Sequence, residues 1–408
     1  MNKKYFDIED TVYDITEKYS EAIPLLISLG FDNIKDENLR KSFGKSISLE
    51  DALNLKKINK EYFEKELIDR IINNENRLNK SYNENDTIKI AGVLPCPVRI
   101  PLIEAFEDWL SSKDFNFPVV YELKAASMGL DWLEDVFKEQ TKEALPDIFI
   151  SAGFDLFFDK KLFGKYKTDN IFEDITGFDH YNQDFHNEYI KLEDPDKQYS
   201  IIGVVPAVFL VNEEELNGRK IPTSWEDILK DEFESSVSLP IGDFDLFNAI
   251  LLNIYKKYGE KGVEKLGKNL KKSMHPSEMV KSHIKKYDKP VVTIMPYFFT
   301  KMIKRKGPMI PVWPKDGAII SPIFMLSKGA KKKELKPIVD FFASKEVGEI
   351  LSHNGKFPSV NPKVNNMITK ENKYMWLGWD YIKGHDISCL IKKCESIFNN
   401  AVKGDEIV

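Results

Sequence analysis

The sequence predicts a mixed α/β protein with a small all-α segment in front of it, and three observations predict this. Apolar residues first recur at helical spacing with no strand signal, a polar Asn-rich stretch follows, and then short β-rich runs alternate with helical stretches. Alternating strands and helices imply crossover connections, and crossovers give a parallel sheet. The elements after residue 87 are too many for one doubly wound domain.

In the first region Val12, Ile15, Ile23, Leu25, Leu26 and Leu29 recur at three- and four-residue spacings, and Gly30 stops a helix. Thr11 is a candidate N-cap, Ser48-Leu49-Glu50-Asp51 resembles a capping box, and Ile58–Ile72 reads as a last amphipathic helix. Residues 1–72 are therefore expected to form a small helical domain. Residues 73–86 carry too little apolar surface to order strongly and read as a linker. From Thr87 onward strands are expected at Ile88–Val93, Val119–Leu123, Asp147–Ile150, Ile201–Val211, Val237–Leu239, Val291–Met295 and Ile319–Leu326. Helices are expected at Pro101–Leu110, from after the second strand to about Lys142, and near 224–231, 244–258, 260–272, 277–286 and 335–353.

Composition narrows the class. The 408 residues include 59 Lys or Arg against 65 Asp or Glu, so the formal net charge is −6 and no broad basic field exists for nucleic acid or anionic lipid. That length suggests two or three domains with a core large enough to need no staples. Cys96, Cys389 and Cys394 are too few and scattered for a disulfide framework or a paired zinc motif, so reduced thiols are expected. The first ten residues lack the apolar core of a secretory signal, and runs such as Ala207–Val211 and Pro290–Phe299 fall short of the roughly 18 residues a membrane span needs. The expectation is a cytoplasmic monomer that does not span a membrane.

Several ordered motifs carry a resemblance. They are Leu145-Pro146-Asp147-Ile148-Phe149-Ile150-Ser151, Pro222-Thr223-Ser224-Trp225-Glu226-Asp227-Ile228-Leu229, Trp313-Pro314-Lys315-Asp316-Gly317, Met325-Leu326-Ser327-Lys328-Gly329-Ala330, residues 338–347 from Ile338 to Val347, and Gly355-Lys356-Phe357-Pro358. From about residue 87 onward the chain resembles an ABC-transporter substrate-binding protein of the type II periplasmic-binding fold, in the branch of ferric-iron, thiamine and polyamine binders. In front of it, Thr11-Val12-Tyr13-Asp14-Ile15, Leu29-Gly30-Phe31, Leu39-Arg40-Lys41-Ser42-Phe43 and Ser48-Leu49-Glu50-Asp51-Ala52 resemble a small helical domain of unknown function. The resemblance implies a two-lobed type II periplasmic-binding-protein fold. Ile201–Val211 and Ile319–Leu326 would be the crossing strands, 87–204 with 325–408 lobe one, and 205–324 lobe two. It also implies a small-molecule or metal-complex ligand between the lobes, an ABC permease or an intracellular protein as partner, and relatives that work outside the cytoplasm. The cofactor is unknown from the sequence.

In such a fold the ligand sits where strand C-termini meet helix N-termini. Cys96, held in a turn between two prolines and beside Arg99, is either a ligand contact, a low-pKa thiol or a buried small hydrophobe. Ser127 is a donor or an N-cap. Ser151, Gly153 and Phe154 follow the third strand, and Gly153 permits close backbone approach. Asp243 or Asp245 would hold a cation or cap a helix. Tyr297 matches one of the paired tyrosines that hold iron in the ferric binders, but Phe298 stands in place of the other. Phe154, Phe244, Tyr297 and Phe298 around Met295 and Cys96 suit an organic ligand with a flat or apolar part, or else form core.

His180 and His186, or His275 and His283, lack the spacing of a helical metal pair, and His275 before Pro276 is the one placed to face a cleft. There is no Gly-x-Ser-x-Gly elbow and no Walker loop, and Gly259-Glu260-Lys261-Gly262 reads as a turn between helices. The reading is a non-enzymatic binder that closes two lobes over a small ligand, for transport or, with no export signal visible, for intracellular sensing or sequestration. The alternative is a Cys96-dependent redox or covalent thiol enzyme whose helical domain recruits a partner.

Overall fold

In the computed structural model the described residues are 5–19, 21–56, 58–61, 63–65, 67–68, 70–71, 87–125, 141–167, 170–241, 244–304 and 306–403. They fall into two compact units, one of 1–88 with 115–120 and one of 89–114 with 121–408.

The first unit is helical. Helices Val12–Lys18, Ala22–Ser28, Glu37–Ser42 and Leu49–Leu55 are joined by short turns, and the described residues between 60 and 71 are helical as well. The last helix thus starts at 60 and not at Ile58. Both expected caps form: Thr11 Oγ1 accepts the Asp14 amide at 3.1 Å and Ser48 Oγ accepts that of Asp51 at 3.0 Å. The capped ends lie side by side, since Val12 N donates to Ile47 O and Leu49 N to Asp10 O. Inward from them Val12, Ile15, Leu25, Leu26, Leu49, Leu53, Phe63 and Leu67 are buried together, which the three- and four-residue spacing dictates. The expected linker 73–86 lies outside the described residues.

The second unit is built on one ten-stranded sheet. Its strands are β1 (Ile88–Leu94), β2 (Val119–Ala125), β3 (Ile148–Ala152), β4 (Ser200–Asn212), β5 (Val237–Leu239), β6 (Leu270–Ser273), β7 (Val292–Pro296), β8 (Met309–Val312), β9 (Ala318–Ser327) and β10 (Tyr374–Met375). The order is β2-β1-β3-β9-β4-β7-β5-β6, with β10 on β9 and β8 on β4. Pairs β1/β3, β5/β7 and β5/β6 are parallel, as the crossover pattern demands. Long β4 and β9 run antiparallel between these two groups and are buried at every position. Residues Ser200–Ala207 of β4 pair with β9, and from Ala207 onward β4 pairs with β7. The Ile323–Ser327 end of β9 pairs with β3. Two sub-sheets therefore share two crossing strands.

The structure corrects several expected elements. The helical stretch Phe244–Lys268 breaks at Gly259 as expected, where the φ of +66° is one only glycine adopts easily. Leu270–Ser273, placed in a helix from sequence, is strand β6. The expected helix 335–353 is divided into Lys332–Phe342, Lys345–Glu349 and a π-turn Ile350–Asn354, and 277–286 holds only the short turns Pro276–Met279 and Ser282–Ile284. The helix toward Lys142 falls on residues outside the described set. Helix Ile387–Lys403 was not expected. It packs along Phe244–Lys268, with Phe247 edge-on to Phe398 at 5.2 Å. A Cβ on Gly267 would stand 2.7 Å from Phe398 O, so the close helix approach requires glycine there.

Two sequence motifs prove to be each other's partners. Trp225, fully buried, donates its indole N–H to Gly317 O at 2.9 Å, and its backbone N–H points at the Asp316 carboxylate at 3.2 Å. Its ring packs edge-on against Phe209 of β4 at 4.9 Å. Ser224 Oγ caps the short helix Trp225–Ile228 by accepting Asp227 N at 3.1 Å. Burial works against ionised Asp227, but Lys230, the Thr223 amide and Ser224 outweigh it and hold its carboxyl well below the usual carboxylate range. A depressed folded pKa contributes stability above the unfolded pKa of about 3.9, and that stability is lost as pH falls through the folded value. Asp227→Asn is therefore expected to destabilise the protein at pH 7. In urea denaturation the gap between variant and native protein should close as pH drops below about 4.

Candidate functional site

The C-terminal ends of β3 and β7 place the candidate residues. At the first, Ser151 Oγ donates to the adjacent Ala152 carbonyl at 3.0 Å and Gly153 turns the chain with φ of +122°. Phe154 is a correction to the pocket reading: it is fully buried, 6.2 Å from Phe158 and 5.8 Å from Trp376, in the aromatic core behind the strand end. Met295 on β7 is a second correction, since it is buried among Leu210, Met274, Met279, Val280 and Met309. Being at a strand end does not decide which face a side chain takes, and both point into core. Arg99 is buried and donates Nε to Leu123 O at 2.9 Å, tying its helix to β2.

Cys96 opens the helix Cys96–Ser111 and Phe244 the helix Phe244–Lys268, but their side chains lie outside what is described. Ser127 and Asp243 lie outside the described residues altogether. Asp245 sits in the first turn of its helix, where an acid suits the dipole. His275 is a cap: its Nδ1 accepts the Ser277 amide at 3.2 Å. His180 and His186 have ring centroids 6.2 Å apart, and His186 pairs with Glu193. No group of three or more His, Cys, Asp or Glu able to hold a metal ion exists among the described residues.

Tyr297 and Phe298 occupy a different setting. They begin the 3₁₀ turn Tyr297–Met302 after Pro296 ends β7, and both are half-buried. Trp313 meets the Tyr297 ring edge-on at 5.2 Å and Tyr374 on its far side at 5.5 Å, forming an aromatic row. Lys356 Nζ lies 4.3 Å over the Tyr297 ring and donates to Thr300 Oγ1 at 2.8 Å. Lys301 Nζ donates to the carbonyls of His353 at 3.2 Å and Asn354 at 2.9 Å. Phe298 stacks on Phe357 at 6.3 Å. The segment after β7 is thus tied to residues 353–357 by two lysines and one ring pair.

Burial pushes the Tyr297 phenol up, and burial with the nearby Lys301 charge pulls the Lys356 ammonium down. Tyr374 is pushed well up by burial, and Asp184 and Tyr297 add to it. Tyr374 Oη is buried without a hydrogen-bond partner among the described residues. Sequence reasoning missed Trp313, Tyr374, Lys301 and Lys356 as site residues. Trp313 and Lys356 stand inside motifs already singled out, which was the available signal.

A family model described as bacterial extracellular solute-binding protein matches residues 143–385, more than half of the chain. The chain belongs to this family. A second model, a domain of unknown function, matches residues 6–63. No curated protein is detectably similar to the chain. Among solved structures, a ferric binding protein from Campylobacter jejuni is 16% identical with a TM-score of 0.54, and the match covers 77% of this chain and 99% of that one. A Bordetella ferric binding protein is 11% identical with a TM-score of 0.55, covering 78% and 99%. The periplasmic binding protein AfuA from Actinobacillus pleuropneumoniae, with exogenous fructose-6-phosphate bound, is 14% identical with a TM-score of 0.51, covering 78% and 98%. These likenesses show the two-lobed type II fold of this solute-binding protein. No helix among the described residues is long and apolar enough to cross a membrane.

Proposed function

We propose that this solute-binding protein closes two lobes over a small organic anion and presents it to an ABC permease. Lobe one would comprise 87–204 with the segment from 325 to about 386, and lobe two 205–324 with helix Ile387–Lys403 riding on it. The observation that carries the reading is the row Tyr297–Trp313–Tyr374 beneath Lys356, where two segments from opposite lobes meet. A flat or apolar solute part suits the aromatic row, and its anionic group suits Lys356 and Lys301. A buried unpaired donor costs about 1–3 kcal/mol, so Tyr374 Oη would gain from an acceptor supplied by the solute.

Bare ferric iron fits less well. The position beside Tyr297 is Phe298, which offers no oxygen, and burial disfavours the Tyr297 phenolate that a hard cation needs. The test panel is fructose 6-phosphate, ferric citrate and simple aromatic carboxylates, with thiamine and spermidine as cations. An organic anion is expected to raise the melting temperature progressively with its concentration, by the equivalent of about 2.7 kcal/mol at a hundredfold excess over Kd. Stabilisation by ferric ion alone with a tyrosinate–iron absorption band, or by the cations only, would overturn the reading.

A further inference from the structure

A concavity lies between the loop at 180–184 and the loop at 361–368, next to Phe185, which packs on Tyr374 at 4.8 Å. Its volume is about 250 Å³, and its lining is His180, Asn182, Gln183, Asp184, Asn365 and Asn366 over a floor of Pro362, Val364 and Ile368. That is smaller than most sites for large organic ligands and suits a few heavy atoms.

The walls are held rigidly by buried amides. Asn182 Nδ2 donates to Asn361 O at 3.1 Å and to Val364 O at 2.8 Å. Asn366 accepts Ser359 N at 2.8 Å through Oδ1, and its Nδ2 donates to Ser359 O at 2.9 Å and Asp184 Oδ2 at 3.0 Å. The Asp184 backbone N–H is in turn fixed by Asn182 Oδ1 at 3.1 Å. Asp184 thus stands in a fixed position with one carboxylate oxygen bonded.

What the carboxylate lacks is a cation. Among the described residues no Lys, Arg or His nitrogen forms an ion pair with Asp184, and the groups acting on it are burial and the Asn366 amide alone. Burial pushes its carboxyl up, as expected of a charge withdrawn from water without a counterion. An anion part-buried in a preformed cavity of neutral amides favours a positive group that fills the cavity.

We propose that this concavity is a binding site for a small organic ammonium ion, with Asp184 as its counterion, held in place by the surrounding asparagine amides. It adjoins the Tyr374 end of the Tyr297 row, where the Asp184 charge reaches the Tyr374 phenol, but it does not depend on the ligand proposed for that row. Asp184 would accept the ammonium N–H at Oδ1, while Oδ2 keeps its bond to Asn366. His180 is exposed at the rim.

The test titrates the full chain with propylammonium, using 1-propanol and propionate as neutral and anionic counterparts. The readout is the NMR shift of the Asn182, Gln183, Asn365 and Asn366 side-chain amides. Propylammonium is expected to shift them saturably with Kd on the order of 1 mM, and the counterparts are not. Asp184→Asn preserves shape and is expected to weaken binding at least about tenfold. His180→Lys, on an exposed residue, puts a cation at the rim and is expected to weaken it about fivefold while leaving the fold intact, should the Asp184 variant fail to fold. No saturable shift by about 50 mM, an equal response to 1-propanol, or equal binding by the well-folded variants would overturn the proposal.

Discussion

Trp225→Ala is expected to cost about 3–5 kcal/mol of stability, the usual range for emptying a large aromatic site in a core. The indole is fully buried against Phe209 and donates to Gly317 O, so the variant loses packing and leaves a carbonyl without its donor. Trp225→Phe keeps most of the ring volume and should cost about 1–2 kcal/mol, near the value of the lost hydrogen bond and its unmet acceptor. Urea denaturation midpoints at fixed slope check both. A loss below about 1 kcal/mol in the alanine variant would show that this junction of lobe two does not hold crossing strand β4 in place.

The second large effect concerns the two lysines. Lys301→Ala with Lys356→Ala removes three hydrogen bonds and a cation–π contact between the turn after β7 and residues 353–357. The Lys301 bonds are at the surface, so the joint loss is on the order of 1–2 kcal/mol, a factor of about 5–30 in how often this contact opens. Amide hydrogen exchange should quicken by that factor in 297–303 and 353–357 and stay unchanged along β4 and β9. Equal quickening of the crossing strands would mean that the variant loosens the whole unit and not the junction.

Much of the fold was legible because the signals were local and ordered. The runs Ile201–Val211 and Ile319–Leu326 are long and apolar, and they became β4 and β9 with little change at their ends. The Ser224-Trp225 and Asp316-Gly317 motifs were visible as patterns, but their pairing across about ninety residues was not, because nothing local encodes a partner. Leu270-Lys271-Lys272-Ser273 and Tyr374-Met375 were missed as strands since one is mostly polar and the other only two residues long. The last helix was overlooked although its buried Ile387, Leu390, Ile391, Cys394, Phe398 and Ala401 recur at three- and four-residue spacings.

The site was harder to read for a physical reason. A strand's end locates a cleft, but the direction of each side chain depends on pleat and twist, which sent Phe154 and Met295 into core and left Tyr297 at the junction. Lys356, Trp313 and Tyr374 come from segments far apart in sequence, and only the folded sheet brings them to one row.

The central claim is that two bodies hinge about β4 and β9 and are closed by the lysine junction. It is tested most directly by the distance distribution between spin labels attached through ketone side chains at Lys220 and Lys333, exposed residues assigned to lobe two and lobe one. The account predicts one narrow distribution in the native chain, and a longer, broader one when Lys301 and Lys356 are both alanine. Identical distributions in the two proteins would contradict it.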